Sequence, residues 1–163
     1  MITLIERLAG VPPGSRLGHA LKTRAEVLRL SEAAHDAVLL PREPGGLSHA
    51  LRAALAARIC RHVGDDALTR HYDSYLAHSG DLDVGPLAYP DGSCGNPLHD
   101  AMAHHADLVT LAPRKATRGD IEALKAAGLG EADIVRLAEL AAFVNYQLRV
   151  VAGLKLLKQV EAP

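Results

Sequence analysis

Apolar residues recur at every third or fourth position along most of this chain, a spacing that places them on one face of an α-helix. Between residues 65 and 79 this period is carried by Leu68, Tyr72, Tyr75 and Leu76. The longest stripe lies near the C-terminus, at Ile134, Leu137, Ala138, Ala141, Val144, Leu148, Val151 and Leu154. The pattern predicts an all-α protein built from several amphipathic helices.

Turn and capping residues divide the first half of the chain into separate helices. The sequence VPPG at 11–14 ends a short first helix, and PREPGG at 41–46 stops a longer helical region that Thr23 could divide in two. Ser48 is a suitable N-cap for the following helix, and Gly64 closes it. Together with the helix at 65–79, four or five helices are therefore expected before residue 80.

The second half begins with one long loop, predicted at 80–96, and then returns to helices. Pro97 suits the first turn of a helix that continues to about residue 111. Thr117 caps a short helix, and Gly130 precedes a final helix that reaches about residue 160. The whole chain, residues 1–163, is predicted to be a single-domain bundle of roughly six to eight helices.

Composition and charge exclude several classes of partner. The net charge is −1, with acidic and basic residues interspersed, so neither nucleic acid nor an anionic membrane surface is an expected partner. The N-terminal sequence lacks the pattern of a secretion signal, and no segment is expected to reach the apolar length of a membrane span. We therefore expect a cytoplasmic protein with free thiols at both of its cysteines.

The sequence RAALAARICRHVGDDALTRHY, at 52–72, resembles the core motif of the alkylhydroperoxidase D and carboxymuconolactone decarboxylase-like superfamily. In that motif, a helix with a glutamate near its start runs into a glycine, a C-x-x-C pair and a histidine. The glycine falls here on Gly64 and the histidine on His71. The positions of the glutamate and the two cysteines are taken by Ala53, Asp65 and Leu68.

A second segment, at 105–154, is similar to the C-terminal half of the peroxidase-related branch of the same superfamily. Its final helix carries an aromatic-x-N-aromatic-x-x-R pattern, formed here by Phe143, Asn145, Tyr146 and Arg149. The resemblance implies a helical bundle of the alkylhydroperoxidase D-like type that assembles as a homo-oligomer. Fold alone does not imply activity, so the site is interpreted residue by residue.

The motif positions favour a structural role for the residues that replace the cysteines. Asp65 follows a glycine that ends a helix, so it is interpreted as the N-cap of the next helix. Leu68 is interpreted as a core residue in place of a reactive sulfur. His71 keeps the family position, and it is therefore a candidate for proton transfer or for orienting a ligand.

Cys60 is an alternative redox centre. It lies on the same helical face as Ala53, but in the last turn, where the helix dipole disfavours a thiolate. Its other interpretation is a small apolar residue in an alanine-rich seam that allows close helix packing. Cys94 lies in the loop without a charge-stabilising neighbour in sequence apart from Asp91, whose charge would raise the pKa of a thiol.

Tyr72, Asn145 and Arg149 are candidate pocket residues by their places in the two segments, with a structural role as the alternative for each. Asn145 and Arg149 are one helical turn apart and are expected to tie the last helix to a neighbouring helix or subunit. The nine histidines are not at a recognised zinc spacing, so neither a metal nor a cofactor is predicted.

Three functions remain open at this stage. The first is a non-peroxidatic, carboxymuconolactone decarboxylase-like protein with a small-molecule pocket near His71. The second is a thiol-dependent antioxidant alkylhydroperoxidase that uses Cys60. The third is a noncatalytic assembly or binding subunit. The sequence favours a non-redox homo-oligomer that binds a small organic ligand.

Overall fold

The computed structural model describes residues 2–161, and within them the chain forms eight α-helices and two short 3₁₀ helices. The α-helices are α1 Leu4–Ala9, α2 Arg16–Lys22, α3 Ala25–Leu39, α4 His49–Val63, α5 Asp66–Ser79, α6 Pro97–Leu111, α7 Arg118–Ala126 and α8 Glu131–Glu161. The predicted all-α bundle is confirmed, including the break near Thr23, which is the C-cap of α2.

The capping residues set these boundaries as the sequence indicated. The Ser48 hydroxyl accepts a hydrogen bond from the Leu51 N–H at 3.2 Å at the start of α4. Gly64 ends α4 with φ of 82°, a left-handed conformation that costs a residue without Cβ little. Asp65 then begins α5, so the chain reverses direction within two residues. This tight junction places α5 against α4.

The centre of the molecule is α4, in which every residue from Ala50 to Cys60 is buried. Its alanines carry little bulk, so α5, α6 and α8 can approach its axis closely. Cys60 is fully buried together with Ala53, Ala56 and Ala57. These four residues therefore form the small-residue face that the sequence suggested.

The segment between α5 and α6 is the long loop that the sequence predicted, with one short 3₁₀ helix within it. Gly85–Ala88 forms that helix, and Leu87 and Ala88 are buried against α4. Gly92 lies so close to this turn that a Cβ at its position would be 1.7 Å from the Pro86 carbonyl oxygen. The turn is thus anchored on the core, while most of the other residues of the loop are at least partly exposed.

The last helix, α8, corrects a second expectation. Glu131–Val160 spans 30 residues and is long and apolar enough, by length and composition, to cross a membrane. However, the core helix of a soluble protein can be equally long and apolar. The stripe that includes Leu137, Leu140 and Val144 is buried against the other helices, so α8 is packed as a core helix.

Candidate functional site

A cleft of about 350 Å³ opens between α1, α3 and α5. We call it the histidine cleft, because two imidazoles meet at its base. Its lining residues come from three helices: Leu4 and Arg7 from α1, then Glu32, His35 and Asp36 from α3, with His71 and Tyr75 from α5. The pocket predicted near His71 therefore has a counterpart here, and its walls are mostly polar.

His71 is joined to His35 by a hydrogen bond between their Nε2 atoms, which are 2.9 Å apart. The other ring nitrogen of His35, Nδ1, lies 3.0 Å from the Asp36 carboxylate. An ionised carboxylate can only accept a hydrogen bond, so a neutral His35 carries its proton on Nδ1. Its Nε2 is then an acceptor, and the Nε2–H of His71 donates to it.

This order fixes the tautomer of His71 when both rings are neutral. With the proton on Nε2, the Nδ1 atom of His71 keeps a free lone pair. Among the described side chains, residues 2–160, that nitrogen has no hydrogen-bond partner and is not fully buried, and His71 itself lines the cleft. The series Asp36, His35 and His71 thus ends at a basic nitrogen.

Burial keeps His71 neutral. Loss of solvent, followed by the nearby His35 and Arg7, lowers the pKa of His71 from 6.5 to about 4. Near neutral pH the imidazole is therefore in the form that can accept a proton. Aromatic rings surround the pair: the Tyr75 ring centroid is 5.1 Å from that of His71, and the Phe143 centroid is 6.1 Å from that of His35.

Two further charged side chains line the cleft, Glu32 and Arg7, and they differ in whether another protein group already binds them. The Glu32 carboxylate accepts a hydrogen bond from the Leu4 N–H at 2.7 Å, so it is occupied in holding the start of α1. Arg7 forms no ion pair with any carboxylate among the described side chains, those of residues 2–160. Within that part of the chain its guanidinium is therefore available to an anionic ligand group.

The motif residue at the start of α5, Asp65, has a structural role. Asp65 is the N-cap of α5, and its carboxylate accepts from the Ala67 and Leu68 N–H groups at 3.1 Å and 3.0 Å. Lys155 of α8 donates to the same carboxylate at 2.5 Å. Burial raises the pKa of Asp65, but these hydrogen bonds outweigh it and lower the pKa overall. Asp65 does not line the histidine cleft.

Leu68 and Tyr72 are completely buried and also lie outside the lining of the cleft. The Tyr72 hydroxyl donates to Gln147 Oε1 at 2.5 Å, which satisfies its polar group inside the core. Burial raises the pKa of Tyr72 well above its ordinary value. Both residues therefore act in packing, and the structure separates them from the pocket with which the sequence had grouped them.

Cys60 is fully buried, and burial, followed by the charge of Asp65, raises the pKa of its thiol. A thiolate is the reactive species in peroxide chemistry, so this environment disfavours it. Cys94 is partly buried, and its Sγ lies 3.8 Å from His99 Nδ1. Its backbone N–H donates to Asp100 at 3.2 Å. These contacts hold Cys94 against the start of α6.

Asn145 and Arg149 line a different cleft, between α6 and α8. The Asn145 side-chain amide donates to Thr110 Oγ1 at 3.0 Å and so ties α8 to α6. Arg149 instead donates to the backbone and side-chain oxygens of Asn145 on its own helix. Within residues 2–161, no group of three or more His, Cys, Asp or Glu side chains is arranged to hold a metal ion.

Sequence reasoning missed His35, Asp36 and Arg7, although α3 carried a usable signal. Leu28, Ser31, His35 and Leu39 repeat at helical spacing on the buried face of that helix. A histidine on such a face needs a hydrogen-bond partner inside the protein. That requirement pointed to a second polar residue on a neighbouring helix, but not to which one.

The likeness of this all-α fold to known proteins lies in structure. A scan against protein-family models finds no match, and a search of curated proteins finds no similar sequence. Solved structures do match. An uncharacterized peroxidase-related protein from Silicibacter sp. TM1040 aligns with a TM-score of 0.70 and 21% identity, over 79% of this chain and 68% of that one.

A second solved structure is described as an alkylhydroperoxidase AhpD core, an uncharacterized peroxidase-related protein from Ralstonia eutropha JMP134. It aligns with a TM-score of 0.58 and 25% identity, over 82% of this chain and 71% of that one. The two neighbours support assignment of the chain to the alkylhydroperoxidase D-like superfamily. The predicted fold class is confirmed, and the activity is a separate question.

Proposed function

We propose that this chain is a non-peroxidatic protein of the alkylhydroperoxidase D-like fold that moves a proton to or from a small organic anion in the histidine cleft. The observation that carries the proposal is the hydrogen-bonded series from Asp36 through His35 to His71, which ends at an accessible ring nitrogen. A neutral imidazole in a partly closed cleft is suited to general-base chemistry.

In the proposed reaction, the residues of the cleft carry out the following steps. Arg7 binds the anionic group of the ligand, and His71 Nδ1 takes a proton from an adjacent carbon or oxygen of that ligand. The Nε2 proton of His71 then passes to His35 Nε2 over the 2.9 Å hydrogen bond. His35 becomes an imidazolium, whose Nδ1–H remains bonded to the Asp36 carboxylate. The positive charge is thus moved from the cleft toward a carboxylate that stabilises it.

A small 2-oxo acid tests this assignment, because it offers a carboxylate and acidic carbon-bound protons. We expect the protein to accelerate exchange of the C3 protons of 2-oxobutyrate in D₂O, followed by proton NMR. His71→Gln should slow the exchange about 100-fold, the usual contribution of a general base. His78→Gln, on the exposed side of the same helix, should not. Equal rates for the two variants would contradict the proposal.

The antioxidant alternative depends on Cys60, and no observation favours it. The thiol is buried, and its pKa is raised, so peroxide has neither access nor a thiolate to attack. We expect no rapid consumption of hydrogen peroxide by the intact protein and no difference between Cys60→Ser and Cys94→Ser. Rapid consumption that is abolished by Cys60→Ser alone would establish the thiol function instead.

The proposal includes assembly as a cytoplasmic homo-oligomer. It is supported by three large apolar side chains, Leu156, Leu157 and Val160, which are 62%, 53% and 78% exposed near the end of α8. A cluster of this kind is typical of a surface that another chain covers. Light scattering should show an oligomer that Leu157→Asp dissociates. A noncatalytic assembly role gains support if the oligomer forms but no 2-oxo acid exchanges its protons.

A further inference from the structure

The histidine cleft carries negative charge as well as the positive charge of Arg7. Glu32 and Asp36 lie four residues apart on α3, which places both carboxylates on the same face of that helix, and both residues line the cleft. A ligand that is only an anion is attracted by Arg7 but repelled by these two carboxylates. The charges of the cleft are therefore complementary to a ligand with one negative and one positive end.

Glu32 is fixed in position by the backbone of α1. Its Oε1 atom accepts the Leu4 N–H at 2.7 Å, a donor that the first turn of a helix leaves without an intrahelical partner. Within residues 2–160 the second oxygen, Oε2, has no hydrogen-bond partner and is not fully buried. The wall of the cleft thus holds a pre-organised carboxylate with one oxygen that can accept a hydrogen bond from a ligand.

The positive and negative charges reach the rings at the base of the cleft. Burial, then His35 and then Arg7 lower the pKa of His71. Burial, followed by the charge of Asp36, raises the pKa of Tyr75, and the charge of Arg7 opposes this rise. The Tyr75 ring, whose centroid is 5.1 Å from that of His71, therefore lies within range of both charges. A ligand whose two ends reach these charges is held beside His71.

From this arrangement we infer that the ligand of the histidine cleft is a small zwitterion, an oxo acid that also carries an ammonium group. Arg7 binds its carboxylate, and Glu32, assisted by the neighbouring charge of Asp36, binds its ammonium group. Glu32 thus sets the specificity, because it selects a cationic end over a neutral or an anionic one. We base this assignment on the function proposed for the same cleft, which it narrows to one class of substrate.

Ligands that cannot exchange protons separate binding from chemistry. 5-Aminopentanoate, pentanoate and glutarate share a five-carbon chain with one carboxylate, and their far ends are an ammonium group, a methyl group and a second carboxylate. NMR titration of the intact protein should show the affinity falling in that order, with shifts at His71, Tyr75 and the Leu4 amide. The advantage of 5-aminopentanoate over pentanoate should be about tenfold, because a charge-assisted hydrogen bond is gained.

Glu32→Gln isolates the charge of Glu32. Glutamine keeps an oxygen that accepts the Leu4 N–H, so α1 stays in place, but the negative charge is lost. The tenfold advantage of 5-aminopentanoate over pentanoate should vanish in this variant, a change in a ratio that a general effect on folding would not produce. Glu26→Gln, which alters an exposed acid on the same helix outside the cleft, should keep the advantage.

The corresponding substrate is 5-amino-4-oxopentanoate. His71 Nδ1 takes a C5 proton, the electron pair of that C–H bond forms the enolate, and a solvent-derived deuteron returns to C5 in D₂O. Proton NMR should show that Glu32→Gln raises the KM for this exchange about tenfold.

The binding and exchange experiments fail in different ways. Absence of 5-aminopentanoate binding, equal affinity for pentanoate, or an advantage that Glu32→Gln leaves intact would each overturn the assignment of the ligand class. Exchange of neither oxo acid, with the ammonium preference in binding intact, would instead contradict the proton-transfer function and leave Glu32 as the residue that recognises the ammonium group.

Discussion

Two polar clusters in this molecule each join histidine to aspartate, but one is closed and the other is open. The closed cluster is centred on Arg58 of α4, which is 6% exposed. Its Nε and Nη2 atoms donate to the two oxygens of Asp107, both at 2.7 Å, and His62 Nε2 lies 2.8 Å from the same carboxylate. The open cluster is the series of Asp36, His35 and His71.

In the closed cluster the arginine and the aspartate are saturated. The remaining N–H groups of Arg58 donate to four carbonyl oxygens of the segment between α5 and α6: Leu87, Tyr89, Pro90 and Gly92. Arg61 donates to a fifth carbonyl oxygen, that of Ala88, at 3.0 Å. The guanidinium of Arg58 is fully used in holding that segment on α4 and in pairing with Asp107, so this cation has no N–H group left to bind a ligand.

The open cluster differs in a single respect that matters for chemistry. His71 keeps one ring nitrogen without a partner and lines a cleft, and Arg7 beside it has no ion-pair partner among the described side chains, residues 2–160. A saturated cluster stabilises the fold, whereas an unsaturated one can act on a ligand. The contrast teaches that the number of remaining hydrogen-bond partners, and not the residue types, separates structure from candidate function.

The largest expected effect concerns the closed cluster. Arg58→Ala should lower the free energy of unfolding by about 3–5 kcal/mol, because it leaves the loop carbonyls unpaired and leaves Asp107 with His62 as its remaining partner. Urea unfolding measures the loss. Arg29→Ala, which breaks an exposed pair with Glu26, should leave the free energy of unfolding almost unchanged. A loss for Arg58→Ala similar to that control would show that the cluster is not what holds the segment.

The open cluster should reveal itself in the dependence of stability on pH. The pKa of His71 is about 4 when folded and 6.5 in the reference state, so between these values the unfolded chain binds more protons. Stability is therefore complete above pH ~6.5 and falls as the pH drops toward ~4. His71 is partly exposed, so the discounted loss is about 2 kcal/mol.

Urea unfolding at several pH values, for the wild type and His71→Gln, isolates this contribution from that of the carboxylates. The variant should show a shallower fall in stability over the same range. His78→Gln is the control, because His78 is exposed near the end of α5. Identical slopes for the wild type and His71→Gln would mean that His71 titrates as it does in water.

The smallest expected effect on stability is that of Asp36→Asn. The side chain of Asp36 is 74% exposed, so the free energy of unfolding should change by less than about 0.5 kcal/mol. Proton exchange of 2-oxobutyrate should nevertheless fall about tenfold, because an amide does not stabilise the imidazolium of His35 as a carboxylate does. Asp66→Asn, an exposed acid on α5, should leave the exchange rate unaltered. An equal fall in the exchange rate for both variants would show that Asp36 has no specific role in the proton transfer.

Local signals accounted for most of the fold. Helical periodicity and capping residues such as Ser48, Gly64 and Asp65 act over a few neighbouring positions, so their effects are written in the sequence itself. They predicted the ends of α4, α5 and α6 closely. The segment from 80 to 96 was predicted only as a long loop, because the contacts that hold it come from Arg58 and Arg61 on a different helix.

The residues of the candidate site were likewise predicted only in part from the sequence. His71 was a correct member of the cleft, since its position followed from the resemblance of the motif around it. Leu68, Tyr72 and Asp65 share that motif, but they face the core or Lys155 and not the cleft. Side chains on one helix point in different directions, so closeness in sequence did not make them one site.

The sequence by itself determined the helices, their ends and the absence of any C-x-x-C pair, because these depend on neighbouring residues and on composition. Only the tertiary structure decided that His35 meets His71, that Arg58 closes one polar cluster, and that Arg7 and Glu32 share a cleft. Each of these results joins residues far apart in the chain. Packing of the helices brings them within hydrogen-bond distance or around one cavity, and no local pattern carries that information.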